Sequence, residues 1–154
     1  MKKIELTQGQ FALVDDEDFK YLNQWKWCAC KKTNGFIAVS NIILNGRRKS
    51  IKMHRVLMNT PPKMEVDHID HNQLNNQKYN LRNCTHKQNL FNKRSFGLIK
   101  YKGVSFRGKY IRARININNH EIHLGYFQTQ ELAAIAYDNA ARCYFGKYAN
   151  LNFK

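Results

Sequence analysis

Between Ile4 and Val14 the chain mixes β-forming side chains with a Gln-Gly-Gln turn, and the acidic run Asp15 to Asp18 follows. Carboxylates complement the dipole at a helix N-terminus, so a short helix is predicted there, delivering Trp25 to the core. From Trp27 the pattern becomes β, with Phe36 to Ser40 and Ile42 to Lys52 surrounding the hairpin signal Asn45-Gly46. Met53 to Met58 reads as helix and must stop before Pro61-Pro62. Glu65 to His68 and Asn80 to Cys84 have the length of two short strands, and the segment from His71-Asn72 to Gln77-Lys78 is rich in loop formers. Thr85-His86-Lys87-Gln88 fits a capping box, so a helix carrying Asn89 should begin there. The predicted order is strand, loop, strand, helix.

Lys93 to Lys100 has little periodicity and reads as a basic linker. Beyond it, Tyr101 to Phe106, Lys109 to Ile117 and Glu121 to Phe127 read as three strands. Within the second, Arg112, Arg114, Asn116 and Asn118 alternate with Ala113, Ile115 and Ile117, giving one basic and one apolar face. A helix from Thr129 to Tyr144 is expected to cover the apolar face, with Thr129 as N-cap, Gly146 past its end, and Leu132, Ile135, Ala136, Ala140 and Cys143 as the inward stripe. The fold class is α+β. The expected division is 1–92, a linker over 93–100, and 101–154 as a small three-stranded antiparallel sheet packed on one helix.

Charge narrows the partner. The net charge is +15, and five of the eleven acidic residues lie before Tyr21, so the excess of positive charge falls on the rest of the chain. Such an excess draws a polyanion by counterion release, and the absence of a basic amphipathic helix turns the expectation from membrane to nucleic acid. With no long apolar run and no signal-peptide pattern after Met1, a cytoplasmic location is expected, that of the host if the chain is phage-encoded. Cys28, Cys30, Cys84 and Cys143 lack zinc-site spacing and read as small core residues in a reducing compartment.

The chemistry concentrates between Glu65 and Asn92. Cutting a phosphodiester needs a base for the attacking water and a hard cation for the phosphate and departing oxygen. His68 titrates in the right range to be that base, and Asp67, leaving a strand on the opposite face, supplies a hard oxygen ligand. With Asn80 and a helical Asn89, this stretch resembles the HNH nuclease family and its ββα-metal motif. The resemblance implies Asp67 and Asn89 as metal ligands, His68 as general base, and Asn80 as the central residue tying the loop to the hairpin. Asn at the last position keeps an oxygen donor, so one Mg²⁺ is preferred, Mn²⁺ is possible and Zn²⁺ is less suited. His71 is expected to serve only a turn, and His54 and His86 to be structural or phosphate-contacting. The segments LTQGQFALVDDEDF, KWCACK and MHRVLM are similar to the opening of phage-type members of that family.

The stretch from Tyr101 to Phe153, with YKGVSF, LGYFQTQELAAIAYDNAA and GKYANLNF, is similar to the ethylene-response-factor (APETALA-type) DNA-binding domain. That resemblance implies a sheet face set against double-stranded DNA, with Lys102, Arg107, Arg112, Arg114, His123 and Tyr126 as contacts. Ser105 stands near the place of the plant domain's base-reading arginine, so no site preference carries over. Together the two resemblances imply a phage or homing-type DNA endonuclease or nickase using a single metal, acting as monomer or homodimer. The rival expectation is a DNA-binding regulator whose nuclease half is inactive.

Overall fold

The computed structural model describes residues 1–94 and 99–153. The chain divides into two compact units, 1–86 and 87–154. The expected linker over 93–100 includes residues outside those described.

The first unit opens with an antiparallel hairpin, β1 (Lys2–Glu5) and β2 (Phe11–Val14), followed by helix α1 (Asp16–Leu22). The acidic run does begin the helix, but the carboxylate of Asp15 caps no helical amide. It accepts instead from Gln77 Nε2 at 3.0 Å and Lys78 N at 2.8 Å, while the Lys78 ammonium pairs with Glu17 and Asp18. Sequence order had these acids serving the helix dipole; three of them also fasten a distant loop.

Strands β3 (Cys28–Lys32), β4 (Gly35–Leu44) and β5 (Arg47–Lys52) form an antiparallel sheet in that order. Asn45 and Gly46 both take positive φ, the geometry a tight hairpin with the right strand twist demands. Ile4, Leu6, Ala12, Val14, Leu22, Trp27, Ala29, Ala38 and Met53 make the core. Trp27 rather than Trp25 is the buried indole, its Nε1 donating to Leu22 O at 2.8 Å; Trp25 packs partly exposed against the same cluster, because α1 stops at Leu22. Helix α2 (Met53–Leu57) then leads to the hairpin of β6 (Glu65–His68) and β7 (Leu81–Cys84), with a 3-10 turn at Lys78–Asn80 before β7.

The second unit begins within helix α3 (His86–Phe91) and contains β8 (Val104–Arg107), β9 (Tyr110–Ile117) and β10 (His120–Phe127), antiparallel in the order β10-β9-β8. Helix α4 (Gln130–Phe145) packs on them, capped by Thr129 Oγ1, which accepts from Leu132 N. The inward stripe differs from the expected one. Ala133, Ala134, Tyr137, Asp138 and Ala141 are buried, whereas Leu132 and Ile135 are 49% and 46% exposed and Cys143 lies on the surface. Small alanines let the helix sit close to Ala113 and Ile115, with Tyr137 and Phe145 filling the rest of the face. Gly103 is part of the same approach: a Cβ there would fall 1.9 Å from the Tyr137 ring. Phe91 of α3 stacks on Phe145 of α4, with centroids 4.0 Å apart, which ties the end of α3 into the second unit.

Candidate functional site

The β6–β7 hairpin sets Asp67 directly opposite Arg82 and His68 opposite Leu81. Both candidate residues are enclosed, Asp67 at 5% exposure and His68 at 7%. Arg82 Nε and Nη2 reach Asp67 Oδ2 at 2.8 and 2.5 Å, a buried charge pair that the sequence reading missed. That a basic residue stands across from the carboxylate emerges only once the register of the two strands is known.

His68 meets Asn76 and His54. Its Nε2 is 3.3 Å from Asn76 Oδ1, and its ring meets that of His54 edge to face, with centroids 5.3 Å apart. Burial pushes the His68 pKa below the usual imidazole range, against the opposing pull of the Asn76 hydrogen bond and of Asp70 and Asp67. His54, near the start of α2, is driven down to about 3 by burial and by the positive charge that His68, Lys52 and Arg55 would present to it. It therefore stays neutral at ordinary pH, and its buried Nδ1 has no hydrogen-bond partner among the described residues. Helix α2 is joined to the hairpin further along, where Asn83 Nδ2 donates to Met58 O at 3.0 Å.

The loop between the strands is organised by amides. Asn80 Oδ1 accepts from Asp70 N at 2.9 Å, and its Nδ2 donates to Asp70 Oδ1 at 2.9 Å and Asn75 O at 2.8 Å. These bonds join Asn80 to both ends of the loop. Burial works against the charge of Asp70, but bonds from Asn75, the Asn72 backbone and Asn80 outweigh it and hold its pKa below the usual carboxylate value. His71 takes φ +65°, the turn conformation expected of it, with its amide donating to His68 O at 3.0 Å. Asn89 lies on α3 among the residues of the second unit.

The donor chemistry fits a hard divalent cation. Among the described residues no three His, Cys, Asp or Glu side chains converge, so a soft, fully protein-ligated site is absent there. A carboxylate with amide oxygens suits an ion that keeps water and substrate phosphate as its remaining ligands. An ion bound at Asp67 would share that carboxylate with Arg82.

On the second unit, register puts Ser105, Arg107, Tyr110, Arg112, Arg114, Asn116, His123 and Tyr126 on the sheet face away from α4. Strict alternation would send His123 and Tyr126 to opposite faces. An irregularity between His123 and Gly125 returns both to the open one, where their rings lie 4.7 Å apart and Tyr126 also meets Tyr110 at 5.6 Å. Glu121, on the same face, pairs with both Arg112 and Arg114. Lys102 stands apart from this group: its half-buried ammonium donates to Phe91 O at 2.6 Å and Lys93 O at 2.7 Å, and burial lowers its pKa to about 8. It closes carbonyls at the end of α3, a role that strand matching did not anticipate.

Comparison with known proteins places this geometry. Residues 59–90 match the HNH endonuclease family, a stretch that holds Asp67, His68, Asp70, Asn76, Asn80, Arg82 and Asn89. Along 94% of its length the chain is 29% identical to a protein of Acanthamoeba polyphaga mimivirus named as an uncharacterized HNH endonuclease, of which it covers 76%. No helix among the described residues is long and apolar enough to cross a membrane.

Proposed function

We propose that the protein is a DNA endonuclease that hydrolyses phosphodiester bonds at the β6–β7 hairpin, assisted by a single divalent cation, Mg²⁺ or Mn²⁺ in preference to Zn²⁺. The observation that carries this reading is the pairing of a buried carboxylate, Asp67, with a buried, hydrogen-bonded imidazole, His68, inside the residues that match the nuclease family. The cation, when bound, supplies positive charge to the scissile phosphate and the departing oxygen. His68, held neutral by its surroundings, accepts the proton of the attacking water. The P–O3′ bond breaks as the new P–O bond forms, leaving 5′-phosphate and 3′-hydroxyl ends. Asp67 would hold the ion, with Asn89, on the helix that follows β7, as the second oxygen donor that the family resemblance implies. Asn80 touches no reacting group and keeps the loop in place through Asp70 and Asn75.

Arg107, Arg112, Arg114, His123 and Tyr126 give the second unit a face for double-stranded DNA, in the manner of an APETALA-type sheet entering the major groove. A free-standing phage or homing-type enzyme fits this pairing of a cutter with a reader. One such site cuts one strand per engagement, so a monomer nicks and a symmetric dimer breaks both strands.

One observation favours a second reading. The Arg82–Asp67 pair already neutralises the proposed metal ligand, as it would in a DNA-binding regulator that has lost its nuclease activity. Supercoiled plasmid incubated with the protein and Mg²⁺ or Mn²⁺ separates the two. Relaxed or linear product, suppressed by EDTA, supports the nuclease; intact plasmid at every metal concentration, with DNA still bound, supports the regulator.

A further inference from the structure

Resting on the nuclease reading above, we infer that Asn76 is a positioning residue for His68, its side-chain oxygen holding the imidazole with the proton on Nε2 so that the accepting lone pair is on Nδ1. Asn76 is 1% exposed, and its Nδ2 donates to Leu74 O at 3.4 Å, which turns Oδ1 toward His68 Nε2 at 3.3 Å. An oxygen in that place can only accept, so the facing nitrogen must carry hydrogen. The other loop amides bond within the loop: Asn80 serves Asp70 and Asn75, and Asn75 serves Asp70 and Tyr79. Asn76 alone among these three sends its oxygen out of the loop to the strand that bears the base.

Its own position comes from the far end of the sequence. Asn76 N donates to Leu13 O at 2.8 Å and Leu13 N to Leu74 O at 2.8 Å, and Leu13 bridges Asn75 in parallel. Strand β2, outside the residues that match the nuclease family, thus seats the amide that orients the base. The His54 ring meets the imidazole edge to face, with centroids 5.3 Å apart, which limits its rotation. A base in the wrong tautomer cannot take the proton of water, so an orienting partner acts on turnover without touching DNA.

The test uses the full-length protein with ¹⁵N-labelled histidine rings, free of DNA and metal, with the His68 signals identified by their loss in His68→Gln. Wild type is expected to show His68 protonated on Nε2 and unprotonated on Nδ1 at neutral pH. Asn76→Asp keeps an acceptor and should keep that pattern. Asn76→Leu, similar in volume, should shift the ring toward the other tautomer and lower kcat for plasmid cleavage roughly 100-fold with KM unchanged. A wild-type His68 carrying its proton on Nδ1 overturns the inference, as does an Asn76→Leu protein with unchanged tautomer and unchanged kcat. If Asn76→Leu does not fold, the wild-type and Asn76→Asp ring patterns decide. Failure of the nuclease reading looks different: wild type leaves plasmid intact while the ring measurement still reports on Asn76.

Discussion

Around the β6–β7 hairpin the first unit buries Asp67, His68, Asn75, Asn76 and Asn80, whereas the second buries mainly Ala113, Ile115, Ala133, Ala134, Tyr137 and Ala141, with Asp138 and Asn92 as polar exceptions. Buried amides and carboxylates cost free energy unless each finds a partner, so a region built from them tolerates only the geometry that satisfies all of them. An apolar layer makes no such hydrogen-bonding demand and is fixed by close packing instead. Even Asp138 follows the rule, accepting from Asn152 N and Nδ2 and from Phe153 N to fasten the C-terminal segment. On the proposed reading, this contrast sets precision in the first unit against surface in the second.

The sharpest way to break that contrast is to remove the base. His68→Ala should lower cleavage by roughly 10²- to 10⁴-fold, the range for general-base loss, while DNA affinity measured by fluorescence anisotropy stays close to wild type. Normal cutting by this variant would mean that another group removes the proton. Equal loss of binding and cutting would mean that the division of labour between the units is wrong.

Next in size is a steric test of the second unit. Gly103 has φ +78° and faces the Tyr137 ring, so Gly103→Ala adds both backbone strain and a clash. A loss of about 2–5 kcal/mol is expected. Hydrogen exchange should show lost protection across β8, β9 and α4 with little change in β6 and β7; equal loss in both units would show that they unfold together.

A third test uses pH. The unfolded chain binds a proton at His54 near pH 6.5, and the folded protein resists this until about pH 3. Stability is therefore complete above the unfolded value and declines as pH falls through that window, on the order of a few kcal/mol. His68, also depressed by burial, acts in the same direction. Urea unfolding at pH 7 and pH 4.5 should show a smaller acid penalty for His54→Phe, which keeps an aromatic ring against His68. An unchanged penalty would place the acid sensitivity elsewhere.

What the sequence made legible follows the same division. Alternation of Arg112, Ala113, Arg114 and Ile115 and the Thr129 cap locate the second unit's sheet and helix, because period and capping are local signals. The helix stripe was legible in part: Ala136 and Ala140 pack on the core, whereas Leu132 and Ile135 look like core but lie half exposed beside the buried Ala133, Tyr137 and Ala141. In the first unit the Asp67-His68 pair and Asn80 stand out as residue types. Asn76, Arg82 and the fastening of the loop by Leu13 and Asp15 do not, since each depends on a partner far along the chain. The irregularity in β10 that brings His123 and Tyr126 together also escapes a strict two-residue period.

The smallest expected effects concern the sheet face and bear on whether it is a reader or only a soluble surface. Arg114→Ala should weaken specific binding by about 1–3 kcal/mol if Arg114 reads a base, and by the same factor on all sequences if it touches phosphate. Glu121 sharpens the distinction, because it holds both Arg112 and Arg114 and is the carboxylate that DNA phosphates must compete with. The hydrogen bond from Arg114 is the largest influence on Glu121 and holds its pKa below the usual value, against a smaller opposing effect of burial. Glu121→Gln should release the guanidiniums toward phosphate and steepen the slope of log K against log salt by about one for each additional phosphate neutralised, while reducing discrimination between sequences. An unchanged slope would mean that the two arginines stay away from the backbone, and the platform would then have to grip DNA through Arg107, His123 and Tyr126 instead.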